Sequence, residues 1–396
     1  MKKFVVLLFV LALAATPSWA DKKLTVEQLK LLLSSMQAQK KSDADVANEL
    51  KQVELTEQLE RNAMNDMAAN APGQLTTEQI YVLEAKSAML PPPSAEVPKN
   101  PPLEGPAQSD LINEAIAYAT KTYTGLPHLS VTKTTMRFQD NISAVASSSG
   151  LVGSGKDATT SGAMGNDGAG NSYVRYINAA EVPIELVNGA EKLPATKDKT
   201  PWGQNGFMAL EEPDPSLGAV MAEAQASGHF TFERWESVNG KPAAVFEFTV
   251  DKKKSRLNVN ICCFPDVEQV GRAKFTSSQI GSLSGSSGGA AGNMQTNTAW
   301  HNYKGTLPYH GEVFVDPDTG IIVRLITKAD FKTSDYVRQQ DTRIDYAPTQ
   351  IGGQVLVLPM KVVVISEVFP QGDSGVGGHT LRHSYFTSTY KDWAAK

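Results

Sequence analysis

Two carboxylates, Asp316 and Asp318, lie at the end of an apolar run in the stretch YHGEVFVDPDTGIIVRL, residues 309–325. Asp-Thr-Gly is also the motif of aspartic proteases, in which two carboxylates share one proton. That chemistry needs an apolar residue before the aspartate and a second carboxylate, but Pro317 precedes Asp318 and the motif occurs once. Proline, an aspartate that bonds its own downstream amides and Gly320 are instead typical of a tight turn. We therefore predict a β-hairpin here and no catalytic site.

Two further patterns are those of a nucleotide site and a metal site. GLVGSGKD, residues 150–157, matches a phosphate-binding loop except that Asp157 replaces the hydroxyl residue that binds magnesium. His379 and His383 are four residues apart, which suits a metal pair on a helix, but their segment has the pattern of a strand. Four residues of strand span about 13 Å, too far for two imidazoles to bind one ion at about 2 Å. We therefore expect no nucleotide, no metal and no other cofactor.

The two cysteines, Cys262 and Cys263, are adjacent. Cysteines of an exported protein are expected to pair. Adjacent Cα atoms are only about 3.8 Å apart, however, which is short of the usual disulfide range of about 4.4–6.8 Å. Two interpretations stay open: a strained vicinal disulfide, or two reduced thiols on opposite faces of a strand.

The first residues, 1–20, have the pattern of a signal peptide. Two lysines precede an apolar run over residues 4–15, and small residues, Ser18 and Ala20, occupy the positions that signal peptidase reads. The apolar run has about 12 residues, fewer than the ~20 that span a membrane. Asp21 rather than cysteine follows the cleavage site, so we expect no lipid anchor. The sequence predicts a periplasmic or secreted protein without a transmembrane segment in the mature chain.

The length of the chain bounds the number of domains, and its net charge bears on which partners it can bind. The 396 residues are enough for two units. The chain carries 42 Asp and Glu against 37 Lys and Arg, a formal net charge of −5, and no basic patch stands out. We therefore expect no nucleic-acid partner.

Residues 21–90 have the periodicity of helices and predict a small helical domain. LTVEQLKLL (24–32) and LTTEQIYVL (75–83) share one pattern at a helix start. Thr25 or Thr76 caps the helix, and a glutamine three residues later bonds back to the cap, which is a capping box. The sequence therefore predicts helices that begin after each of these threonines.

A proline-rich linker, residues 91–107, leads into the predicted second domain, residues 108–396. Its hydrophobic period changes to two, which predicts an α+β protein with a curved antiparallel sheet and a packed helix. Residues 147–171 and 276–297 are rich in Gly and Ser and predict flexible insertions. Two-residue hairpin turns are predicted at three dipeptides: Asn188-Gly189, Asn239-Gly240 and Gly352-Gly353.

Alternating aromatic and branched residues predict one apolar face of this sheet. The helix expected at residues 109–124 is ~10 Å wide and cannot seal a broad curved sheet. We therefore expect apolar surface to remain open to a ligand. The residues expected to line this ligand-binding face are Phe230, Phe232, Phe246, Phe248, Val313, Val315, Ile322 and Val363.

The region from Ser109 onward resembles the lipoprotein-carrier (Lol-type) half-barrel superfamily of periplasmic proteins. The matching segments are LINEAIAYATKTYTGLPHLSVTKTTMRFQD, a helix running into a strand, and two late segments, GEVFVDPDTGIIVRL and IDYAPTQIGGQVLVLPMKVVVIS. The mature chain is also similar to a group of uncharacterised secreted proteins of the Acidobacteria type, which share the helical part, the Pro-rich linker and the paired cysteines. The resemblance implies a half-barrel whose concave apolar face holds acyl chains in the carriers, and it implies no site residue.

Three functions remain as hypotheses. The first is an exported, non-enzymatic binding protein for an apolar or lipid-bearing ligand of the cell envelope. The alternatives are an envelope protein–protein interaction module that docks through helices 24–90, and a hydrolase with a dispersed site. We predict no catalytic residue, because no Ser-His-Asp order stands out. An apolar cavity in the sheet would favour the first function, an exposed apolar surface on the helices the second, and histidines and carboxylates converging in a cleft the third.

Overall fold

The computed structural model describes most of the chain after residue 21. The predicted signal peptide, the GLVGSGKD stretch at 150–157, both Gly/Ser-rich segments and His379 lie outside the described residues. The structure describes residues 22–140, 173–192, 209–210, 215–265, 300–333, 335, 337–368 and 382–396, of which residues 209–210, 262–265, 300–302 and 382 are described by their backbone alone.

Four short helices form the first part of the chain, because their apolar residues recur at helical spacing and meet in one core. A short parallel pair of strands joins the start of this part to the end of its second helix. The elements are β1 (Lys22–Leu24), α1 (Val26–Ala38), α2 (Asp43–Leu50), β2 (Val53–Leu55), α3 (Arg61–Ala69) and α4 (Gln74–Lys86). We call these elements together the helical layer; its buried core includes Leu29, Val46, Leu50, Ile80 and Leu83.

The two predicted capping boxes have different outcomes. Thr25 and Gln28 form the predicted box at the start of α1, so that prediction is confirmed. The prediction for Thr76 is wrong, because α4 begins earlier, at Gln74. The Thr76 backbone amide and hydroxyl donate to the Asp43 carboxylate of α2 at 2.9 and 2.7 Å. A side chain from a neighbouring helix therefore caps α4 in place of a local one.

The second part of the chain is built on a ten-stranded antiparallel sheet with the strand order β5-β4-β3-β15-β14-β13-β12-β11-β8-β7. A separate three-stranded sheet has the order β10-β9-β6. The strands are β3 (Leu129–Gln139), β4 (Arg175–Val187), β5 (Ala190–Lys192), β6 (Ala209–Leu210), β7 (Phe230–Val238), β8 (Lys241–Val250), β9 (Asn258–Pro265), β10 (Trp300–Thr306), β11 (Tyr309–Val315), β12 (Ile322–Ala329), β13 (Val337–Ile351), β14 (Gln354–Val368) and β15 (Arg382–Ala395). The predicted α+β class and antiparallel sheet are confirmed.

The predicted hairpin turns are confirmed. Their residues have the positive φ angles that such turns require. In the turn between β11 and β12, the Asp318 amide donates to Asp316 Oδ1 at 2.9 Å, and Gly320 has a φ of 65°. Asp316 therefore has a turn role, as predicted. The three two-residue turns have φ values of 52° and 71° at Asn188-Gly189, 52° and 77° at Asn239-Gly240, and 55° and 83° at Gly352-Gly353.

Two more helices cover one face of the large sheet. α5 (Gly105–Ala117) begins within the predicted linker and continues as one π-helical turn, Tyr118–Tyr123. α6 (Leu217–Ser227) lies between β6 and β7 and ends at Gly228, whose φ of 93° stops the helix. The chain before α5 contains only a single 3₁₀ turn, Ser94–Glu96, within the described residues 87–104. It connects the helical layer to α5.

Both faces of the sheet are buried at β14, whose apolar side chains point alternately to the two sides. Val362 and Val364 lie in the core beneath α5 and α6, which we call the α5/α6 face. Val363 and Ile365 point the opposite way and pack with Ala85 of α4, on what we call the α4 face. The sheet therefore lies between two helical coverings, as its runs of consecutive valines require.

Candidate functional site

The predicted ligand-lining residues fall on both faces of the sheet. Val363 lies on the α4 face, so the prediction that it shares a face with the others is wrong. Every residue from Val362 to Ile365 is apolar, and such a run does not reveal which positions point to which face. The other seven predicted residues do meet on the α5/α6 face: Phe230, Phe232, Phe246, Phe248, Val313, Val315 and Ile322.

The α5/α6 face is filled by side chains from both of its helices. The expectation of a single covering helix is wrong, because α6 adds Leu217, Val220 and Met221 to the cover. Between Tyr123 and the sheet lies a cavity of about 20 Å³, which is roughly the space of one water. Ligand pockets are typically ~300–1,000 Å³. This cavity does not accommodate an acyl chain.

A buried cluster of charged residues lies on the α4 face. Arg324 Nε donates to Asp345 Oδ1 at 2.6 Å, and Arg343 Nη2 donates to Asp345 Oδ2 at 2.8 Å. The Glu60 carboxylate lies 3.5 Å from Arg324 Nη2 and 4.0 Å from Arg343 Nη2. The two arginines therefore join neighbouring strands of the sheet to the segment that leads into α3.

The cluster extends to both sides of these arginines. Arg324 Nη1 lies 3.4 Å from Glu236 Oε1, and Glu236 in turn accepts from Arg234 Nη2 at 2.7 Å. On the other side, Lys361 of β14 forms an ion pair with Glu84 of α4. Arg343 Nη1 also donates to the backbone carbonyl of Ala88 at 2.7 Å. The contacts of Lys361 and Arg343 connect the sheet to the helical layer and to the residues that follow α4.

Burial and neighbouring charges shift the pKa values in this cluster. Burial alone would raise the pKa of Asp345, but Arg324 and Arg343 more than offset this and lower it to about 2. Burial raises the pKa of Glu236 above its ordinary value, against the opposing effect of Arg234. Burial lowers the pKa of Lys361 to about 7. A cavity of only about 10 Å³ lies beside Lys361, and the contacts of the cluster connect the helical layer to the sheet.

Two of the described histidines pair with carboxylates through Nδ1, and a third, His128, pairs through Nε2, which lies 3.0 Å from Glu185 Oε2. His383 Nδ1 lies 2.7 Å from Asp140 Oδ2, and the His383 amide donates to the other oxygen at 2.8 Å. His310 Nδ1 lies 2.8 Å from Asp330 Oδ1. A histidine that a carboxylate orients through Nδ1 supplies, together with that carboxylate, two of the three members of a triad that activates a nucleophile. Within the described chain neither imidazole hydrogen-bonds a hydroxyl or thiol, so these pairs do not support the hydrolase hypothesis.

The described residues contain no group of three or more His, Cys, Asp or Glu placed to hold a metal ion. Cys262 and Cys263 lie in β9, where Cys262 pairs with Asn302 and the register shifts before Phe264 pairs with His301. The backbone therefore has a bulge at this position. The cysteine side chains lie outside the described part, and both interpretations of the pair stay open.

A groove of about 690 Å³ runs along the helical layer between α1 and α3. Its apolar lining includes Leu33 of α1, Val46 of α2 and Met67 of α3. Leu31 of α1, on the surface beside Lys30, is 63% exposed. The polar residues that line it are Lys30, Ser34, Gln37, Lys40, Lys41, Asp66 and Asn70. This groove has the size and the mixed lining of a binding site.

The sequence indicated only part of these features. Charged residues inside apolar strand runs, such as Arg324 in GIIVRLIT, are a signal for a buried ion pair that sequence reasoning missed. The groove had a weaker signal, because its two walls, α1 and α3, are separated in sequence by α2 and β2 and meet only through packing. Within the described chain no helix is both long enough and apolar enough to span a lipid bilayer.

Comparison of the chain with known protein families, curated proteins and solved structures gives no match. The resemblance to lipoprotein carriers therefore stays a prediction, and the candidate site rests on the geometry of the chain itself.

Proposed function

We propose that the protein is an exported, non-enzymatic interaction module of the cell envelope, and that it holds a segment of a partner protein in the groove between α1 and α3. The observation that carries this proposal is the contrast between an open groove of about 690 Å³ on the helical layer and a cavity of about 20 Å³ on the α5/α6 face. The helical layer has open space for a ligand, whereas side chains fill the α5/α6 face.

The large sheet serves as a rigid scaffold in this proposal, with the curvature of a half-barrel. Ile184 of β4 and Ile344 of β13 line the same small cavity. Their strands are four positions apart in the sheet, which is ~19 Å in a flat sheet. A curved sheet would bring them closer together, which supports the half-barrel shape expected from the resemblance to lipoprotein carriers.

The filled α5/α6 face argues against an acyl ligand, the first of the hypotheses drawn from the sequence. An acyl chain would have to displace side chains such as Met221, which is fully buried. Refilling that space with a ligand returns little free energy, because the apolar surface is already away from water. The interaction module needs no such rearrangement.

The proposal is tested by photo-crosslinking in the periplasm. A photoreactive residue is placed at Ser34 or Gln37 on the groove, and at Val355 as a control, which is 63% exposed at the start of β14. We expect one discrete protein adduct from the groove positions and none from Val355. Native mass spectrometry of the same protein separates the alternatives, since a bound lipid mass without an adduct would overturn the proposal.

A further inference from the structure

The charges around the groove indicate what kind of segment it binds. Three lysines, Lys30, Lys40 and Lys41, line it against a single carboxylate, Asp66. All three lysines are exposed, although Lys30 lies 3.9 Å from Glu27 within α1. The rim of the groove is therefore positive, although the chain as a whole has a net charge of −5. It favours an acidic partner, since opposite potentials raise the rate of encounter and reject basic competitors.

The lining also favours a helical occupant. α1, α2 and α3 satisfy their own backbone hydrogen bonds, so the walls that they form offer no free strand edge for an extended peptide. An amphipathic helix satisfies its own backbone and needs only an apolar floor and a matching rim. Leu33, Ala71 and Pro72, whose side chains are not fully buried, supply such a floor above the buried Val46 and Met67.

We infer that the groove between α1 and α3 binds an acidic amphipathic helix of a partner protein, with apolar side chains on Leu33, Ala71 and Pro72 and carboxylates facing Lys30, Lys40 and Lys41. This inference rests on the proposed function and names the chemistry of the partner. α1 has 13 residues and is ~20 Å long, so a helix of about the same length fits along it. An anionic membrane surface would match the charge, but it is flat and does not enter a concave groove.

The test uses the mature full-length protein and two synthetic peptides. Each has about 15 residues, with leucine at i, i+3, i+4 and i+7 spacing; the other positions are mainly glutamate in one peptide and lysine in the second. Binding is measured by calorimetry at low and high salt. We expect the acidic peptide to bind, the basic peptide not to bind, and the affinity for the acidic peptide to fall with added salt.

Charge-reversed variants locate the contact. Lys40→Glu with Lys41→Glu should weaken binding of the acidic peptide about tenfold or more and create binding of the basic peptide. Lys252→Glu with Lys253→Glu, an exposed lysine pair between β8 and β9, is the matched control and should change neither. Equal binding of both peptides, or loss of binding in the control alone, would overturn the inference.

Two further results separate this inference from the proposed function. A periplasmic adduct at Ser34 together with no binding of the acidic peptide would refute the acidic helix and leave the interaction module standing. If neither the periplasmic adduct nor binding of the acidic peptide is observed, both the interaction module and the acidic helix are refuted. Vesicles of phosphatidylglycerol are tested in parallel, and binding to them that requires Lys40 and Lys41, without peptide binding, would assign the surface to a membrane and overturn the inference.

Discussion

Arg324 and Asp345 are direct partners across β12 and β13, and their ion pair is buried: Arg324 Nε lies 2.6 Å from Asp345 Oδ1 while Arg324 is 1% exposed. A buried guanidinium is tolerated only when carboxylates compensate for its lost hydration. Asp345 is shared with Arg343, and Glu60 approaches both arginines from the segment before α3. The pair therefore lies where the sheet meets the helical layer that carries the groove.

Removal of the shared carboxylate should destabilise the protein strongly. We expect Asp345→Asn to lower the free energy of unfolding by about 3 kcal/mol, because two buried guanidinium groups lose their closest counter-charge. Asp318→Asn is the matched control in the exposed turn and should change it by less than about 0.5 kcal/mol. Urea denaturation at neutral pH measures both. Equal effects of the two substitutions would contradict a special role for the buried pair.

The same pair should give the protein an acid-sensitive contribution to stability. Although burial raises the pKa of Asp345, the two arginines lower it to about 2, below its ordinary value of 3.8. The stabilisation is therefore present above pH 3.8 and is lost as the pH falls towards 2. Asp345→Asn should remove this part of the acid dependence. An unchanged stability-versus-pH curve in the variant would exclude the pair as its source.

The turn at Gly320 combines two constraints that can be separated. Its φ is 65°, and an added Cβ would lie 2.4 Å from Cγ of Glu114 in α5. Gly352 has a similar φ of 55° with open space around it. We expect Gly320→Ala to lower the melting temperature more than Gly352→Ala, since only the first adds a steric clash to the backbone strain. Equal decreases in melting temperature would mean that the Glu114 side chain moves aside without a loss of stability.

The local features of the fold were predictable, since they depend on neighbours in sequence. Asn-Gly and Gly-Gly mark turns because few other residues adopt positive φ, and the Thr25 box needs only Gln28 three residues away. The start of α4 was not predictable in this way. Its cap, Asp43, is 33 residues from Thr76 and reaches it only in the folded chain.

The candidate site was less accessible to sequence reasoning than the fold. Arg324 and Asp345 are 21 residues apart, and Arg324 and Glu236 are 88 apart, so no local motif announces the cluster. The groove combines Lys30, Val46 and Met67 from three helices. Amphipathic periodicity predicts which residues are apolar in each helix, but it does not predict where two helices leave a gap between them.

The Asp140–His383 pair should make stability depend on pH near neutrality. The hydrogen bond with Asp140 raises the pKa of His383 above its ordinary value of 6.5. The stabilisation is therefore fully present below about pH 6.5 and is lost as the pH rises through the raised pKa. We expect His383→Asn to lower the free energy of unfolding more at about pH 5.5 than at about pH 8.5. His310→Asn, at a pair that is more exposed, is the control and should destabilise the protein less at about pH 5.5.

The filled α5/α6 face should bind no acyl ligand unless a substitution creates a cavity in it. We expect the delipidated protein to show no saturable binding of a fluorescent fatty acid, because the cavity beside Tyr123 has only about 20 Å³. Met221→Ala should lower the free energy of unfolding by about 2–5 kcal/mol and leave an apolar cavity beneath α6. Such a cavity stays dry and binds small apolar molecules, so benzene should raise the melting temperature of this variant but not that of the parent protein.

The parent protein and Met221→Ala together decide between a closed core and a carrier. Saturable, roughly micromolar uptake of the fatty acid by the parent protein would mean that α6 moves away from Phe246 and Val313 and exposes the face predicted from the sequence. A Phe232→Glu variant that still folds would then lose that uptake, since a carboxylate would stand at the edge of the exposed face. Uptake confined to Met221→Ala would instead show that the space was created by the substitution and that the α5/α6 face is ordinary core.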